Sequence, residues 1–373
     1  MKKIISIALA LLMVAVMLPV MAMAAEVTTA EDLKAAVAAG GEVTLGANIT
    51  ASITIPKDKT VTLNLNGKTL TNEADMDTIT VALGGTLTIE GTGTVDNDSH
   101  GRAAVYNNGT VTINGGTYTR SAEKGTGKDP DSNNGNSWYT ICNHGVMTVN
   151  AGVTVTNTGT FSSVFENGYQ SYTGNNERSN YVAGTNNAAP ALTINGGTFE
   201  GGKITIKNDD GGILKIGGGR FTNNGNRVVF NANKAEINGG EFYCPATYFG
   251  NEIAVDTLYA DGGQNAGQLT ITGGTFDGKV TQSNGAVTTV SGGTFKKGVD
   301  KSYIVDGKKL DANGNVVPES ITIIVPSEGG STTTTPSTDN TKNPSTGAND
   351  LVGVAAAMAV VSLLGAAAVI RKK

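Results

Sequence analysis

From about residue 43 to residue 295, apolar and polar positions alternate in short runs that repeat one unit. The unit is an apolar-Thr-apolar step, a Gly-rich corner, then Thr and an aromatic residue. It reads Val111-Thr112-Ile113-Asn114-Gly115-Gly116-Thr117-Tyr118, and again Leu192-Thr193-Ile194-Asn195-Gly196-Gly197-Thr198-Phe199. Further copies centre on Ile216, Ile237, Ile271 and Val290, followed by Phe221, Phe242, Phe276 and Phe295; degenerate copies sit at Ile89 and Val149. Successive anchors from Ile89 to Val290 are 24, 36, 45, 22, 21, 34 and 19 residues apart. The short spacings describe one turn of a repeat and the long ones a turn plus an insertion. Strand alternation sends Leu192 and Ile194 to one face and Thr193 to the other. Glycine lets the backbone turn the corner, and Phe199 then points inward again. One unit cannot bury its apolar face alone, so the copies must stack, as in a solenoid. Ile194, Phe199, Ile237, Phe242, Ile271 and Phe276 are therefore expected inside, in ladders.

The flanks read differently. Thr28 to Ala39 has helical periodicity, with Leu33 and Val37 one turn apart, Thr28 and Glu31 spaced as a capping box, and Gly40-Gly41 as a stop. This predicts a cap helix within 25–41, covering an edge that would otherwise invite aggregation. Thr60 to Gly67 alternates as an early coil. Residues 301–326 carry Asp306-Gly307 and Asn313-Gly314 turns and predict a cap hairpin. Residues 327–342 are rich in Ser, Thr, Pro and Gly without apolar period, a linker.

About 20 residues per coil with two or three short strands resembles the right-handed parallel β-helix of the pectin-lyase-like family. The resemblance implies an all-β solenoid over 42–300, with insertions at 120–137 and 161–189. The fold by itself does not select an activity, because this scaffold hosts many.

Both ends of the chain carry export chemistry. Lys2 and Lys3 precede an apolar run from Ile4 to about Met23, and Ala22-Met23-Ala24 presents small side chains at the two positions signal peptidase reads. Residues 1–24 are expected to be a signal peptide, with cleavage at Ala22, Ala24 and Ala25. At the other end, Asn343-Pro344-Ser345-Thr346-Gly347 is followed by an apolar stretch, 351–370, and then Arg371-Lys372-Lys373. The stretch suits the ~20 residues of a membrane-spanning helix, with positive charge kept inside. Residues 343–373 resemble a sortase cell-wall sorting signal of the Leu-Pro-x-Thr-Gly type, with Asn343 where Leu is usual. That resemblance implies sortase and peptidoglycan as partners. A sortase cysteine attacks the Thr346 carbonyl, a peptidoglycan amine takes the acyl group, and the chain from Gly347 onward is released. The membrane is a partner through the C-terminal helix before processing, and a lasting anchor if the motif is not processed. The implied location is secreted and cell-wall anchored, in a Gram-positive-type envelope.

Charge sharpens this reading. The whole chain carries −5, and the piece left by both cleavages keeps 22 basic and 31 acidic residues, about −9. No basic stripe is visible, so no nucleic-acid partner is expected. Gly is high at 51 residues while charged residues are 16%, which fits short strands and tight corners. The two cysteines, Cys142 and Cys244, fall several coils apart, beyond the ~7 Å a disulfide allows between Cα atoms. Both are expected free and buried.

Catalytic chemistry is sparse. Within the same fold, the polygalacturonase family uses Asn-Thr-Asp, Asp-Asp, His-Gly and Arg-Ile-Lys in that order. This chain has Asp209-Asp210 and His144-Gly145, but with His-Gly first and the other two runs missing. Asn208-Asp209-Asp210-Gly211-Gly212 reads as a turn. With His100 and His144 the only histidines, no catalytic residue, metal site or cofactor is expected. The insertions hold aromatic residues beside polar ones, which suits stacking on host or environmental glycans. The glycan-binding candidates are Trp138, Tyr139, Tyr169, Tyr172 and Tyr181, with Asp131, Glu166 and Arg178 for polar contacts. The function expected is display of a non-catalytic β-helix for adhesion, glycan binding or a structural role. The alternative is a polysaccharide-active lyase or hydrolase of the same fold, recognisable by carboxylates gathered within ~10 Å.

Overall fold

The structure, a computed structural model, describes residues 25–99, 101–121, 139–157, 163–169, 190–209, 211–245, 252–258, 267–283 and 285–319. The compact unit Met1–Val317 contains the solenoid; of the second unit, Pro318–Lys373, only residues 318–319 are described. Among the described residues no helix is long and apolar enough to cross a membrane, and 351–370 lies outside them.

Apolar alternation produces three parallel sheets of 11, 10 and 9 strands, each joining every third strand of the chain, with Ala25–Val27 added at the edge of the first. The result is a right-handed parallel β-helix. A representative coil runs Ile213–Ile216 in the first sheet, Arg220–Thr222 in the second and Arg227–Asn231 in the third. In the first sheet Ile194, Ile216, Ile237, Ile271 and Val290 stack in register and are buried. In the second sheet Phe199, Phe221, Phe242, Phe276 and Phe295 form a ladder of rings 4.8–4.9 Å apart and within 8° of parallel. That is the strand spacing, so the backbone ladder itself sets the rings in contact.

Corners need glycine for two distinct reasons. Gly197 has φ of +108°, where a side chain would be strained. Gly145 has no such φ, but a Cβ there would lie 2.1 Å from the Gly109 carbonyl oxygen of the coil below. Coil-to-coil approach, not conformation, excludes other residues at that corner.

A second ladder runs inside the third sheet. Asn107, Asn143, Asn167, Asn208 and Asn231 are buried, and each of the first four side-chain amides donates to the next at 2.7–2.8 Å. Each also donates to a backbone carbonyl, of Val146, Ala191, Ile213, Lys234 and Gln268. The amides thus tie the third sheet to the carbonyl at the start of each first-sheet strand in the next coil, so the buried side chains stay hydrogen-bonded.

The caps differ from expectation in detail. The helix spans Ala30–Ala39, and its N-cap is Thr29, whose hydroxyl accepts from the Asp32 N–H at 3.1 Å. The Thr28/Glu31 box is displaced by one residue: Ala25–Val27 forms a strand paired with Val43–Leu45, and it is Thr29 that holds the extended N-cap conformation. Leu33 and Val37 are buried and Gly40 ends the helix, as expected. At the other end a short 3₁₀ turn, Lys301–Tyr303, leads to the hairpin strands Lys308–Leu310 and Val316–Pro318. Gly307 and Gly314 turn with positive φ.

The boundary of one insertion also shifts. Phe165–Asn167, expected within the loop 161–189, is a strand of the third sheet. Phe165 is buried in the core and Asn167 continues the amide ladder, which outweighs the polar sequence on either side. The excursion that follows therefore starts after Asn167. The first insertion joins the second-sheet strand Gly116–Thr119 to the third-sheet strand Ile141–Asn143. Arg120, at its start, is buried and donates to the Ser99 carbonyl at 3.2 Å. The two insertions thus meet the third sheet from opposite ends of its strands.

Candidate functional site

Inward Ile141 and Asn143 leave Cys142 on the outer side of the third sheet. Its register partners make an outer row: Tyr106, Cys142, Glu166, Lys207, Phe230, Asp256 and Thr281. Elsewhere the outer positions of the coils are largely threonine. Here the row carries a phenol, a thiol, a carboxylate and an amine in succession, with Cys142, Glu166 and Asp256 buried and the other four half-buried. Cys142 is 1% exposed and Glu166 4%.

The centre of the row is a triangle of donor atoms. Cys142 Sγ lies 3.0 Å from Glu166 Oε2 and 3.4 Å from His144 Nε2, and His144 Nε2 lies 3.8 Å from the same Oε2. His144 is fixed on three sides. Its Nδ1 is 3.2 Å from the Tyr106 hydroxyl, the Tyr106 ring meets it edge-on at 5.2 Å, and the Tyr169 ring stacks on it at 4.3 Å. On the far side of Glu166, Lys207 Nζ pairs with buried Asp209 at 2.5 Å and donates to the Tyr139 hydroxyl at 3.3 Å. Arg227 pairs with Asp256 at 2.8 Å, and its guanidinium lies 5.6 Å from the centre of the Phe230 ring.

Burial, reinforced by the Glu166 carboxylate, pushes the Cys142 thiol well above its ordinary value. The thiol therefore stays protonated and donates to Glu166. A cysteine nucleophile needs the opposite shift, toward thiolate. Burial, then the Glu166 carboxylate, likewise raises the Tyr139 phenol, which stays a donor. Tyr106 is raised first by burial and then by Cys142 and Asp77.

Of the glycan-binding candidates, Tyr139 and Tyr169 are described, both half-buried and both drawn to this cluster. One face of Tyr169 is taken by His144, and the Tyr139 ring has Lys207 Nζ 5.7 Å from its centre. Trp138, Tyr172 and Tyr181 lie outside the described residues, as do Asp131, Arg178, Ala22, Ala24 and the motif Asn343, Pro344, Ser345, Thr346 and Gly347. Ala25 begins the first strand. Cys142 and Cys244 are both free and buried, as expected. The Asp209 turn forms, with the Gly212 N–H donating to the Asp209 carbonyl, but its carboxylate is buried against Lys207.

The sequence pattern puts Glu166 in a loop and predicts no histidine-based site; the structure corrects this, because Glu166 lies in a third-sheet strand beside Cys142 and His144. A signal did exist. Tyr106-Asn107, Cys142-Asn143, Glu166-Asn167, Lys207-Asn208 and Phe230-Asn231 are five dipeptides ending in the ladder asparagine. Aligning coils on that asparagine, rather than on the Gly-Gly corner, puts the outer row together.

A second surface feature is a shallow groove on the second sheet. It is lined by Arg220, Glu241, Tyr243, Asp277 and Lys296, with the Tyr243 ring 40% exposed and Asp277 paired to Lys296 at 3.1 Å. Comparison with protein-family descriptions, with curated proteins and with solved structures yielded no match.

Proposed function

We propose that the chain is exported, fixed to a Gram-positive-type cell wall through Thr346, and acts by displaying a non-catalytic β-helix to glycans or to neighbouring surfaces. The observation that carries this reading is the continuous stack of coils whose described walls are flat and threonine-rich, with a shallow groove in place of an enclosed cleft. A surface of that kind binds weakly at one copy and gains strength from many copies on one cell. The sequence of the two ends supports export and anchoring. The groove holding Tyr243 joins the insertion aromatics as a place where a sugar ring can stack.

A polysaccharide lyase or hydrolase is the second reading, and Glu241 with Asp277 in one groove is the observation that favours it. Asp277 is held as an ion pair by Lys296, which suits a structural carboxylate better than a general acid. Fractionation of cells with muramidase tests the anchor: Thr346→Ala should move the protein from the wall fraction to membrane or medium, and equal wall attachment sinks the sortase reading. Chain length of soluble polysaccharides tests the activity. Depolymerisation by the parent that is lost in Glu241→Gln would replace display by catalysis.

A further inference from the structure

We propose that Cys142, His144 and Glu166 form a binding site for a divalent transition-metal ion of the zinc class. This site is independent of how the protein is anchored or what its outer walls bind.

The geometry of the three donors carries the argument. A tetrahedral zinc ion with bonds of about 2.3 Å to sulfur and about 2.0–2.2 Å to nitrogen and oxygen needs donor–donor edges of roughly 3.3–3.6 Å. The edges of the triangle are 3.0, 3.4 and 3.8 Å. Pair by pair, the sulfur–oxygen edge is about 0.6 Å short and the nitrogen–oxygen edge about 0.4 Å long, differences that small side-chain torsions close. The edges share the same three atoms and the triangle is small enough that one point lies within bonding distance of the sulfur, the nitrogen and the oxygen together. Cysteine, histidine and a carboxylate together are also the donor set that selects zinc over the harder ions, which want oxygen only.

The support around the donors is of the kind metal sites require. A ligating histidine needs its other ring nitrogen engaged so that the tautomer and orientation are fixed. With Nε2 on the ion, Nδ1 carries the proton and donates to the Tyr106 hydroxyl at 3.2 Å. The stacked Tyr169 ring holds the imidazole plane. The backbone beneath is rigid: Asn143 sits between the two strand ligands and is bonded above and below in the amide ladder, and Asn167 does the same beside Glu166. Two ligands come from alternate positions at the end of one coil's strand, and the third from the next coil.

Charge agrees. Among the described residues, Glu166 and Asp209 bring two carboxylates beside the Lys207 ammonium, a setting that suits a bound cation. A dication bound to Cys142 displaces the thiol proton to solvent and so meets a thiolate. Asp77, the next carboxylate acting on Cys142, has Arg102 and Arg120 as its own counter-charges. Three protein ligands leave the fourth tetrahedral position to water.

Cobalt(II) and zinc titrations of the full exported chain test this. Cobalt bound to a thiolate shows a sulfur-to-metal charge-transfer band. The chain has two cysteines, so a band retained in Cys244→Ser assigns the sulfur to Cys142 even if Cys142 variants fail to fold. The expected result is one equivalent of zinc that displaces cobalt and its band. Glu166→Gln should weaken zinc at least about 100-fold, the upper end of what changes beyond the ligands themselves cost. A parent with no thiolate band, a band lost in Cys244→Ser, or zinc affinity unchanged by Glu166→Gln would each overturn the proposal.

Discussion

Truncating Phe242 to alanine probes the aromatic ladder where its contacts are most complete. Phe242 is 1% exposed and stacks on Phe221 at 4.9 Å and on Phe276 at 4.8 Å. Removing a buried phenylalanine costs about 3–5 kcal/mol, and the neighbours here cannot collapse into the gap because each is held by its own strand. Phe295, at the end of the ladder, has one ring neighbour, Phe276. A ring pair adds about 0.5–1.5 kcal/mol beyond buried area. Phe242→Ala should therefore cost more than Phe295→Ala by about one such pair. At roughly 2–4 °C per kcal/mol, the central variant should melt roughly 6–20 °C lower than the parent. Calorimetry with a denaturant series measures both variants. Coils of a solenoid unfold as neighbouring units, so the transition is followed by two probes to check that it stays cooperative. A cost under about 0.5 kcal/mol, the range of surface substitutions, would show that the ring does not carry the stack. A larger loss in Phe295→Ala would refute the nearest-neighbour argument.

The amide ladder gives a second test. Asn167 accepts from Asn143 at 2.7 Å and donates to Asn208 at 2.7 Å and to the Ile213 carbonyl at 3.1 Å. Asn167→Ala leaves buried groups unpaired and should cost about 1–3 kcal/mol by denaturant titration; a neutral result would mean that water replaces the ladder. Tyr118 predicts an alkaline limit. Burial raises its phenol above the ordinary value near 10, so above about pH 10 the unfolded chain loses the proton first and stability falls as pH rises; below that, both states are protonated and the contribution is intact. Tyr118→Phe should lose about 0.5–1.5 kcal/mol at neutral pH with the bond to the Gly115 carbonyl, yet show a shallower alkaline decline than the parent; parallel pH curves would refute this.

Much of the fold was legible because it is local and periodic. Alternation at Leu192-Thr193-Ile194, glycine at the corners and one aromatic per coil each constrain the backbone within a few residues, and repetition multiplies the signal. The inward set of Ile194, Phe199, Ile237, Phe242, Ile271 and Phe276 follows from that pattern and is buried in the structure. The N-cap is Thr29 rather than Thr28, one residue beyond the box that spacing suggests, and the pairing of Ala25–Val27 with Val43–Leu45 just before it is not visible in local spacing.

The candidate site was not legible for a related reason. Cys142 and Glu166 are 24 residues apart, and Lys207 follows 41 further on, with insertions of unequal length between them. Sequence distance says nothing about which of these share a row until the register is known. Register is set by the corner glycines and the asparagine ladder acting between coils. The sequence by itself determined that short strands stack into a solenoid, because alternation and glycine act on each residue's own backbone. Only the tertiary structure decided that Phe165–Asn167 joins the wall and that a thiol, an imidazole and a carboxylate converge outside it, because contacts between coils fix position across chain lengths that local preferences cannot span.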